Sequence, residues 1–496
     1  MTIFDKIKTF FKIGGAKMGA VSNLTAITDH PKIGVSGNEY NRINTNLKFL
    51  KGDFEKVSYK NTYGNRKARD YVSLNMAQVA SRRMASLIFN EQFEFSIDGN
   101  DAANDYAHSI FDNNDFKKNF ERYLESALAL GGLAMKPYVS GGQVKIAYVQ
   151  APMFYPLNSN TNDISEAAVA THVVRTEKDK QIYYTLLEFH EWADNTYVVS
   201  NELYRSENPG QVGVNVPLAN VYEDLAEWVK YDNISRPLFV YLKPFGFNNK
   251  DIVSPLGISI YDNAHNTLQS INDTFDQFHW EIKMGQRRVA IPESMTQLQF
   301  EGDSQTPREY FDADQNVFVQ IPGDIDNTNI NDLTTGIRAN EYISAMTHFL
   351  KTLEVQLGLS SGMFSFDGQG LKTATEVVSE DSMTYQTRNS HLSNVERAIQ
   401  ELIISCLELA KFTGLYAGEI PTLADITIDT DDGVFTDKGA EADYHAKLIA
   451  MGIESKQAAM MKVLDISEDE AEKMFEQITY ETQPPMEAID KAIYGE

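Results

Sequence analysis

The chain has 496 residues and a mass of 55.8 kDa, and compact domains usually have ~100–200 residues, so two to four structural units are expected. Its 24 Tyr and 27 Phe exclude disorder as the main state, because disordered chains carry few aromatic residues. The net charge of −26 excludes a protein that coats nucleic acid with its whole surface, since that function needs a basic footprint.

The charge is spread unevenly along the chain. Residues 1–89 contain 15 Lys and Arg against 6 Asp and Glu, a charge of +9, whereas residues 414–496 contain 6 Lys against 19 acidic residues, a charge of −13. The residues between them carry −22. Residues 1–12 mix apolar and basic side chains, which predicts a short amphipathic helix that docks on the protein or a partner rather than on a membrane.

The chain has one cysteine, Cys406. A single cysteine excludes a disulfide within the chain and any zinc site built from Cys-x-x-Cys pairs, and its place in the apolar run 402–407 predicts a small core side chain. No stretch approaches ~18 uninterrupted apolar residues, so no membrane span is expected. These features favour a cytoplasmic, reduced protein.

The first half of the chain has an α+β pattern. Apolar side chains at helical spacing predict a helix over residues 71–89 and a second helix over 115–130 that stops at a Gly-Gly pair. Alternation predicts a strand at 93–97 and a hairpin over 133–149 that turns at Gly-Gly. Residues 165–245 are rich in strand-forming segments. Helices dominate the remainder.

The most regular pattern follows. Seven apolar residues are spaced alternately by three and four positions, as in an a/d seam over three heptads, on a helix ~35 Å long with a polar opposite face. They are Tyr261, Ala264, Leu268, Ile271, Phe275, Phe278 and Ile282. An ordinary core helix would show the same pattern. Short strands follow near 288–292 and 316–323, and a second long helix extends from about Ala339 to Leu357, so the sequence predicts an antiparallel helix pair with a small β-containing module at its tip.

The last part begins with a glycine-rich loop, residues 358–370. A Thr-Ala-Thr-Glu capping box at 373–376 then opens a helix of ~40 residues that Gly414 ends. A strand at 424–429 precedes short, acidic, amphipathic helices. These are predicted near residues 438–451, 455–463 and 467–478.

Motifs that carry chemistry are missing from the sequence. A P-loop has Gly directly before Lys and follows a strand. The segment Gly370-Leu371-Lys372-Thr373 has Leu between Gly and Lys, and it follows a helix. The acidic run 429–433 has its glycine at position 5 instead of position 6 of a calcium loop, so it is interpreted as a solvated turn. No His-x-His or His-Glu-x-x-His spacing and no Gly-x-Ser-x-Gly elbow occurs. The sequence therefore predicts no catalytic centre, metal or cofactor.

The order of elements, together with several short phrases, resembles the portal proteins of tailed bacteriophages, particularly those of long-tailed phages. The likeness covers nearly the whole chain from about Tyr71. The phrases are Leu-Asn-Met-Ala to Ser-Leu-Ile-Phe-Asn-Glu over 74–91, Ala-Leu-Gly-Gly-Leu-Ala-Met-Lys-Pro-Tyr at 129–138, Gly-Met-Phe-Ser-Phe-Asp-Gly at 362–368, Thr-Ala-Thr-Glu-Val at 373–377 and Met-Gly-Ile-Glu-Ser-Lys at 451–456.

The resemblance implies a ring, usually of twelve subunits, at one vertex of a capsid, assembled in the cytoplasm of a host bacterium. Implied partners are the large terminase subunit, the head–tail adaptor, the major capsid and scaffolding proteins, and double-stranded DNA that passes through without sequence recognition. The implied parts are a wing (1–257, with a basic N-terminal arm at 1–40), a stem helix (258–286), a clip (287–333), a returning stem helix (334–358), a tunnel loop (359–372), a long wing helix (373–413) and an acidic crown (414–496).

Three sets of residues are expected to carry this role. Cations that would line the DNA tunnel are Lys283, Arg287, Arg288, Lys351 and Lys372. The rest of the tunnel would be acidic and would let DNA slide, because few phosphates would be neutralised. The tunnel loop would use Gly358, Gly362, Phe364, Phe366, Gly368 and Gly370, with the glycines supplying flexibility. The seam would pack the stem through Tyr261, Leu268, Ile271, Phe275, Phe278 and Ile282.

Two other classes stay open on the sequence alone. One is another virion structural protein, such as a minor head or adaptor protein, which the length and the order of elements disfavour. The other is an acidic multidomain hydrolase, for example a glycoside hydrolase with a carboxylate pair that sequence cannot single out. A hydrolase predicts a deep pocket in a monomer, whereas a portal protein predicts large rings.

Overall fold

The structure is a computed structural model. It describes residues 23–60, 65–89, 93–160, 163–193, 196–285, 289–292, 298–299, 308–309, 318–321, 331–332, 336–364, 382–430, 438–464, 471–475 and 477–478. The chain divides into two compact units, Met1–Gly368 with Asp381–Thr430, and Gln369–Glu380 with Asp431–Glu496. Two units lie within the predicted range of two to four. The predicted amphipathic helix at 1–12 lies outside the described residues.

Four α-helices lie in the described part of residues 23–130. They are α1 (Gly37–Lys51), α2 (Met76–Ile88), α3 (Asp101–Asn113) and α4 (Phe116–Leu130). The predicted helix at 115–130 is confirmed and ends at Gly131, which has a φ of 91°. The helix predicted from residue 71 begins five residues later, because Asn75 has left-handed backbone geometry with a φ of 53°. Helices α1 and α3 were not predicted.

Antiparallel strands form most of the rest of this unit's first half. In chain order they are β1 (Asn23–Leu24), β2 (Val57–Lys60), β3 (Arg66–Arg69), β4 (Phe93–Ile97), β5 (Leu133–Ser140), β6 (Gln143–Gln150), β7 (Phe154–Ser159), β8 (Ile164–Glu177), β9 (Lys180–Ala193), β10 (Thr196–Ser206), β11 (Gly213–Val216), β12 (Trp228–Tyr231) and β13 (Val240–Leu242). The predictions of strand β4, of the β5–β6 hairpin and of a strand-rich 165–245 are confirmed. A mixture of helix and sheet is therefore the fold class.

Seven strands make the largest sheet, in the order β1-β11-β10-β9-β8-β7, with β12 also paired to β10. Because β1 pairs with β11, the predicted N-terminal arm is part of this body from Asn23 onward. Leu24, Ile27 and Tyr40 of that segment are buried. A smaller sheet joins β13 to the β5–β6 hairpin.

Among the described residues, the second half of the first unit contains three long helices, α5 (His265–Met284), α6 (Ala339–Gln356) and α7 (Ser382–Phe412). Between α5 and α6 lie the short strands β14 (Val289–Pro292), β15 (Leu298–Gln299), β16 (Arg308–Glu309), β17 (Phe318–Ile321) and β18 (Asn331–Asp332). Strands β14 and β17 confirm the two that were predicted, and the other three were not predicted. Strand β14 pairs in parallel with β17 and antiparallel with β18.

Helix α7 lies in the centre of the core, where it contacts β5, β13, α2 and α3. Leu402 and Leu407 are fully buried, and Cys406 is buried with a free thiol, as its apolar run predicted. The helix ends at Phe412, and Gly414 follows with a φ of 76°, which confirms the predicted stop. Residues 373–381 of the predicted helix lie outside the described residues.

After α7 the chain forms β19 (Ile426–Thr430), which pairs with β4. The strand was predicted from residue 424, but residues 423–425 form a turn in which the Asp425 side chain accepts a hydrogen bond from the backbone N–H of Thr422. In the second unit, α8 (Lys438–Ala450) and α9 (Lys456–Leu464) confirm two predicted helices. Helical residues at 471–475 and 477–478 correspond to the third.

Candidate functional site at the paired helices

Helices α5 and α6 form an antiparallel pair. The side chain of Arg338, just before α6, donates to Glu281 near the end of α5 at 2.7 Å, and the Tyr342 hydroxyl donates to the same carboxylate at 2.8 Å. One turn back along α5, the ring of Phe278 stacks on that of Tyr342 at 5.1 Å. Hydrogen bonds from Arg338 and Tyr342 lower the pKa of Glu281 to about 2.

The apolar side chains of the seam are buried toward its N-terminal end only, and their role in packing a stem stays a prediction. Leu268 and Ile271 are buried, Phe275 and Phe278 are half-buried, and Ile282 is 47% exposed. Tyr261 is also buried, but the helix begins at His265, so the prediction that Tyr261 and Ala264 lie on it was wrong. The Tyr261 hydroxyl instead donates to the backbone carbonyl of Asn46 at 3.0 Å. The helix has 20 residues and a length of ~30 Å at 1.5 Å per residue.

The polar face of α5 is covered by residues 69–74. The guanidinium of Arg69 donates to both carboxylate oxygens of Asp276, each at 2.6 Å, and lies 4.7 Å from the ring centre of Trp280. The backbone N–H groups of Val72 and Leu74 donate to Asp276 and Asn272. Hydrogen bonds from Arg69 lower the pKa of Asp276. This face was described from the sequence only as polar, and Asn272 and Asp276 on it are buried.

A buried charged network holds the segment that leads into α5. Arg42 of α1 donates to Glu39 at 2.9 and 3.0 Å, to Asp262 at 2.5 Å and to the carbonyl of Gly257 at 3.0 Å. Burial raises the pKa of Glu39, but the hydrogen bonds and charge of Arg42 outweigh it and the pKa is lowered. Asn46 donates to Asp262 at 3.1 Å. The network therefore fixes α1 against the base of the paired helices.

The described part of the glycine-rich loop is anchored. The fully buried carboxylate of Glu354, on α6, accepts the backbone N–H groups of Gly362 at 2.9 Å and of Phe364 at 2.6 Å. Thr387 of α7 donates to the carbonyl of Gly358 at 2.7 Å. Gly358 has a φ of 69°, and a Cβ there would lie 2.5 Å from the Thr387 hydroxyl. The loop was expected to flex at its glycines, but residues 358–364 are tied to both helices.

The predicted tunnel cations that can be located are Lys283 and Lys351. Both side chains are exposed. Lys283 lies close enough to Asp70 to help lower the pKa of that carboxyl, although a hydrogen bond from Lys56 is the larger cause. Outside the described residues lie Arg287, Arg288, Phe366, Gly368, Gly370 and Lys372. The structure therefore leaves the tunnel lining a prediction.

Sequence reasoning missed the residues that hold this region together. Asp276, Glu354 and Asp262 have carboxylates that accept hydrogen bonds from distant segments or from backbone, and a helical pattern of apolar residues carries no signal for them. The signal available in the sequence was the polar side chains of these helices. They have no structural role if they are taken to face solvent. Within the described residues, no group of three or more His, Cys, Asp or Glu could hold a metal ion, and no helix is long and apolar enough to cross a bilayer.

Comparison with known proteins identifies the family. A family model described as phage portal protein, SPP1 Gp6-like, matches residues 29–484. The chain therefore belongs to the phage portal protein family, which is a family of structural proteins and not of enzymes. This confirms the resemblance noted in the sequence and disfavours the hydrolase alternative. No curated protein matches the chain.

Two solved structures are similar to the chain. One is the neck of an empty GTA particle computed with C6 symmetry, at 10% identity and a TM-score of 0.43, covering 85% of this chain and 93% of that chain. The other is the neck of a native GTA particle computed with C12 symmetry, at 10% identity and a TM-score of 0.37, covering 85% of this chain and 98% of that chain.

Proposed function

We propose that this portal-family protein forms a ring, of twelve copies, at one vertex of a phage capsid, and that double-stranded DNA passes through the ring during packaging and ejection. The observation that carries the proposal is the family match over residues 29–484, which spans α1 to the helices of the second unit. The protein would be assembled in the host cytoplasm and then be part of the virion.

The parts of the chain are assigned accordingly. The paired helices α5 and α6 would be the stem, the short strands between them would be the clip that binds the large terminase subunit and later the head–tail adaptor, and residues 359–372 would be the tunnel loop. The mixed α+β body would be the wing. Because β19 pairs with β4 of that body, the crown would comprise residues 431–496 instead of the 414–496 expected from the sequence. Major capsid and scaffolding proteins would contact the outside of the ring.

The electrostatics support a channel that does not retain DNA. Each copy carries a net charge of −26, so a ring repels phosphates over most of its surface, and each phosphate that is neutralised by Lys or Arg would strengthen binding and slow sliding. Exposed cations on the paired helices, Lys283 and Lys351, would supply sparse contacts. Arg287, Arg288 and Lys372 are proposed for the same role.

Negative-stain electron microscopy of the purified chain tests the assembly. We expect class averages of rings with about twelve subunits, the number usual for the family, around a central hole. A globular monomer at every protein concentration would contradict the proposal.

A packaging assay tests the channel. Alanine substitutions at Lys283 and Lys351 are expected to change packaging or DNA retention while rings still form. The control is Lys180→Ala, which removes an exposed cation from strand β9 of the largest sheet. Unchanged packaging and retention in the Lys283/Lys351 variant would contradict the proposed lining.

A further inference from the structure

Part of the segment between β13 and α5, residues 245–253, exposes four large apolar side chains. Phe245, Phe247, Ile252 and Val253 are 57%, 69%, 73% and 85% exposed, within nine consecutive residues. Single exposed apolar residues are common on protein surfaces and need no explanation, but contiguous exposed apolar patches usually mark interaction sites. We call residues 245–253 the apolar loop.

The apolar loop is ordered by buried polar groups. The Asn248 side chain, 7% exposed, accepts the backbone N–H groups of Lys250 and Asp251, each at 3.1 Å, and donates to the Leu256 carbonyl at 3.1 Å and to Glu39 at 2.9 Å. These bonds fix the turn at the centre of the loop. The exposed side chains are therefore presented by a defined backbone, and the loop does not need to become ordered when it binds.

Both ends of the loop are fixed as well. The backbone N–H of Phe245 donates to Nδ1 of the buried His391 on α7 at 3.0 Å. At the other end, the Ser254 hydroxyl donates to Glu39 at 2.8 Å. Glu39 is the carboxylate that Arg42 holds, so the loop rests on the same buried network as the base of the stem. Preordering of this kind lowers the entropic cost of association.

The exposed area is large enough for part of a stable interface. Applying the exposed fractions to side chains of ~150–250 Å² gives roughly 500 Å² of apolar surface for the four residues. A standard interface buries ~800 Å² on each partner, so the loop would supply somewhat more than half of one side. A lone patch of this size lies at the upper end of what monomers expose.

We propose that the apolar loop is a contact between neighbouring copies of this chain in the ring, an inference that rests on the proposed function. A closed ring with one copy per position uses a head-to-tail interface, in which two different surfaces of each copy meet. The same unit carries a second exposed apolar set on the paired helices and at the start of α7, comprising Ile343 (57%), Val355 (65%) and Met383 (46%). The apolar loop would be one of these two surfaces, and exposed apolar side chains elsewhere on the same unit are available to the other.

Sedimentation velocity across a concentration series tests the contact. The test variant is Phe247→Ser/Ile252→Ser/Val253→Ser, and the matched control is Val174→Ser/Val214→Ser, which removes apolar side chains that are 55% and 46% exposed on the main sheet. We expect the wild type and the control to form rings at the same protein concentration. The test variant should need a concentration at least ~10-fold higher, because central apolar contacts dominate interfaces. Circular dichroism should be unchanged, since none of the three side chains is buried.

The outcomes separate this inference from the proposed function. Rings of the test variant at the wild-type concentration would overturn the apolar-loop contact and leave the ring proposal intact, and the loop would then face a different protein. A wild type that stays monomeric at every concentration would overturn the ring proposal and this contact with it.

A second measurement does not depend on how the test variant folds. Because Cys406 is buried, Val253→Cys introduces an accessible thiol that a maleimide can label in the otherwise unchanged chain. We expect labelling to be at least ~10-fold slower in isolated rings than in monomers, because a thiol must be accessible to react. Equal labelling rates in the two fractions would overturn the inference.

Discussion

Replacing Arg42 by Met is expected to be strongly destabilising. The side chain of Arg42 is 9% exposed, and those of its partners Glu39 and Asp262 are 3% and 0% exposed. Met has a similar length without the charge, so the substitution leaves two carboxylates buried and without a cation. Breaking a buried ion pair by removing one partner typically costs ~3–5 kcal/mol.

The remaining hydrogen bonds place the expected loss at the lower end of that range. Glu39 would keep the side chains of Asn248 and Ser254 as donors, and Asp262 would keep Asn46 and the backbone N–H of Ser259. We therefore expect a loss of about 3 kcal/mol in the free energy of unfolding, which is a large fraction of the ~5–15 kcal/mol that stabilises a typical domain.

Urea denaturation followed by tryptophan fluorescence measures this loss. The three tryptophans, Trp192, Trp228 and Trp280, all belong to the first unit, so the signal reports the unit that contains Arg42. Measurements belong at a protein concentration at which the chain is monomeric, because assembly would add to the apparent stability. The matched control is Lys56→Met, which breaks the exposed Lys56–Asp70 pair and should leave the midpoint unchanged.

The pH dependence gives the same prediction a second test. In the wild type the pKa of Glu39 lies below its ordinary value of 4.5, so its contribution to stability is present above pH 4.5 and is lost as the pH falls through the lowered pKa. Without Arg42, burial would raise this pKa, and protonation would relieve the unpaired charge. The deficit of the variant should therefore shrink between pH 7 and pH 5. A deficit that is absent at pH 7, or constant with pH, would refute the reasoning.

Three further predictions concern buried groups of the first unit. Burial lowers the pKa of His391 to about 4 from its ordinary 6.5, so the unfolded chain binds the proton first as the pH falls. The free energy of unfolding should therefore drop by roughly 3 kcal/mol between pH 7 and pH 4. Urea midpoints across this range should fall more steeply for wild type than for His391→Gln, and parallel curves would contradict the assignment. Glu354→Gln replaces a carboxylate that accepts two backbone N–H groups by an amide with one acceptor oxygen. Hydrogen exchange at the backbone amides of Gly362 and Phe364 should therefore accelerate by about tenfold. The control is Glu341→Gln, at an exposed position of the same helix, and equal protection in both variants would show that the loop is held in another way. Burial raises the pKa of the Cys406 thiol, so it should react with a disulfide reagent only as fast as the protein unfolds; rapid reaction in the absence of denaturant would place the thiol at the surface.

The elements of the paired helices could be predicted from sequence because their signal is local. The spacing of Leu268, Ile271, Phe275 and Phe278 identifies a helix and one of its faces without reference to any other segment. Its start could not be placed in the same way. Tyr261 continues the apolar spacing, yet the backbone before His265 is turned by hydrogen bonds to α1, which the spacing does not encode.

The partner of the polar face could not be predicted, for a physical reason. Asn272 and Asp276 would be solvent-facing by hydropathy, and they are buried because residues 69–74 bring Arg69 and backbone N–H groups to them across about 200 positions of sequence. A carboxylate is equally compatible with water and with a guanidinium. Only the three-dimensional arrangement decides which of the two is present.

Helix α1 was missed because its buried face is partly polar. Glu39 and Asn46 are buried together with Tyr40, Ile43 and Phe49. A test based on apolar periodicity counts the first two against a helix, although Arg42 and Asp262 satisfy them. The glycine-rich loop shows the converse case. Its composition predicted freedom, whereas one buried carboxylate, that of Glu354, holds the backbone on either side of Met363.

The pairing of β4 with β19 has a consequence for biosynthesis. Ile97 lies opposite Ile426, so about 330 residues separate two neighbours in one small sheet, and α7, which fills the centre of the core, is also made late. A ribosome that adds ~5–20 residues per second needs roughly 15–70 seconds to cover that interval. During this time the apolar faces of α2, α3 and β5 lack the helix that covers them. The nascent chain is thus expected to need protection by chaperones until residue 430 has emerged, and C-terminal truncations before α7 should aggregate when they are expressed.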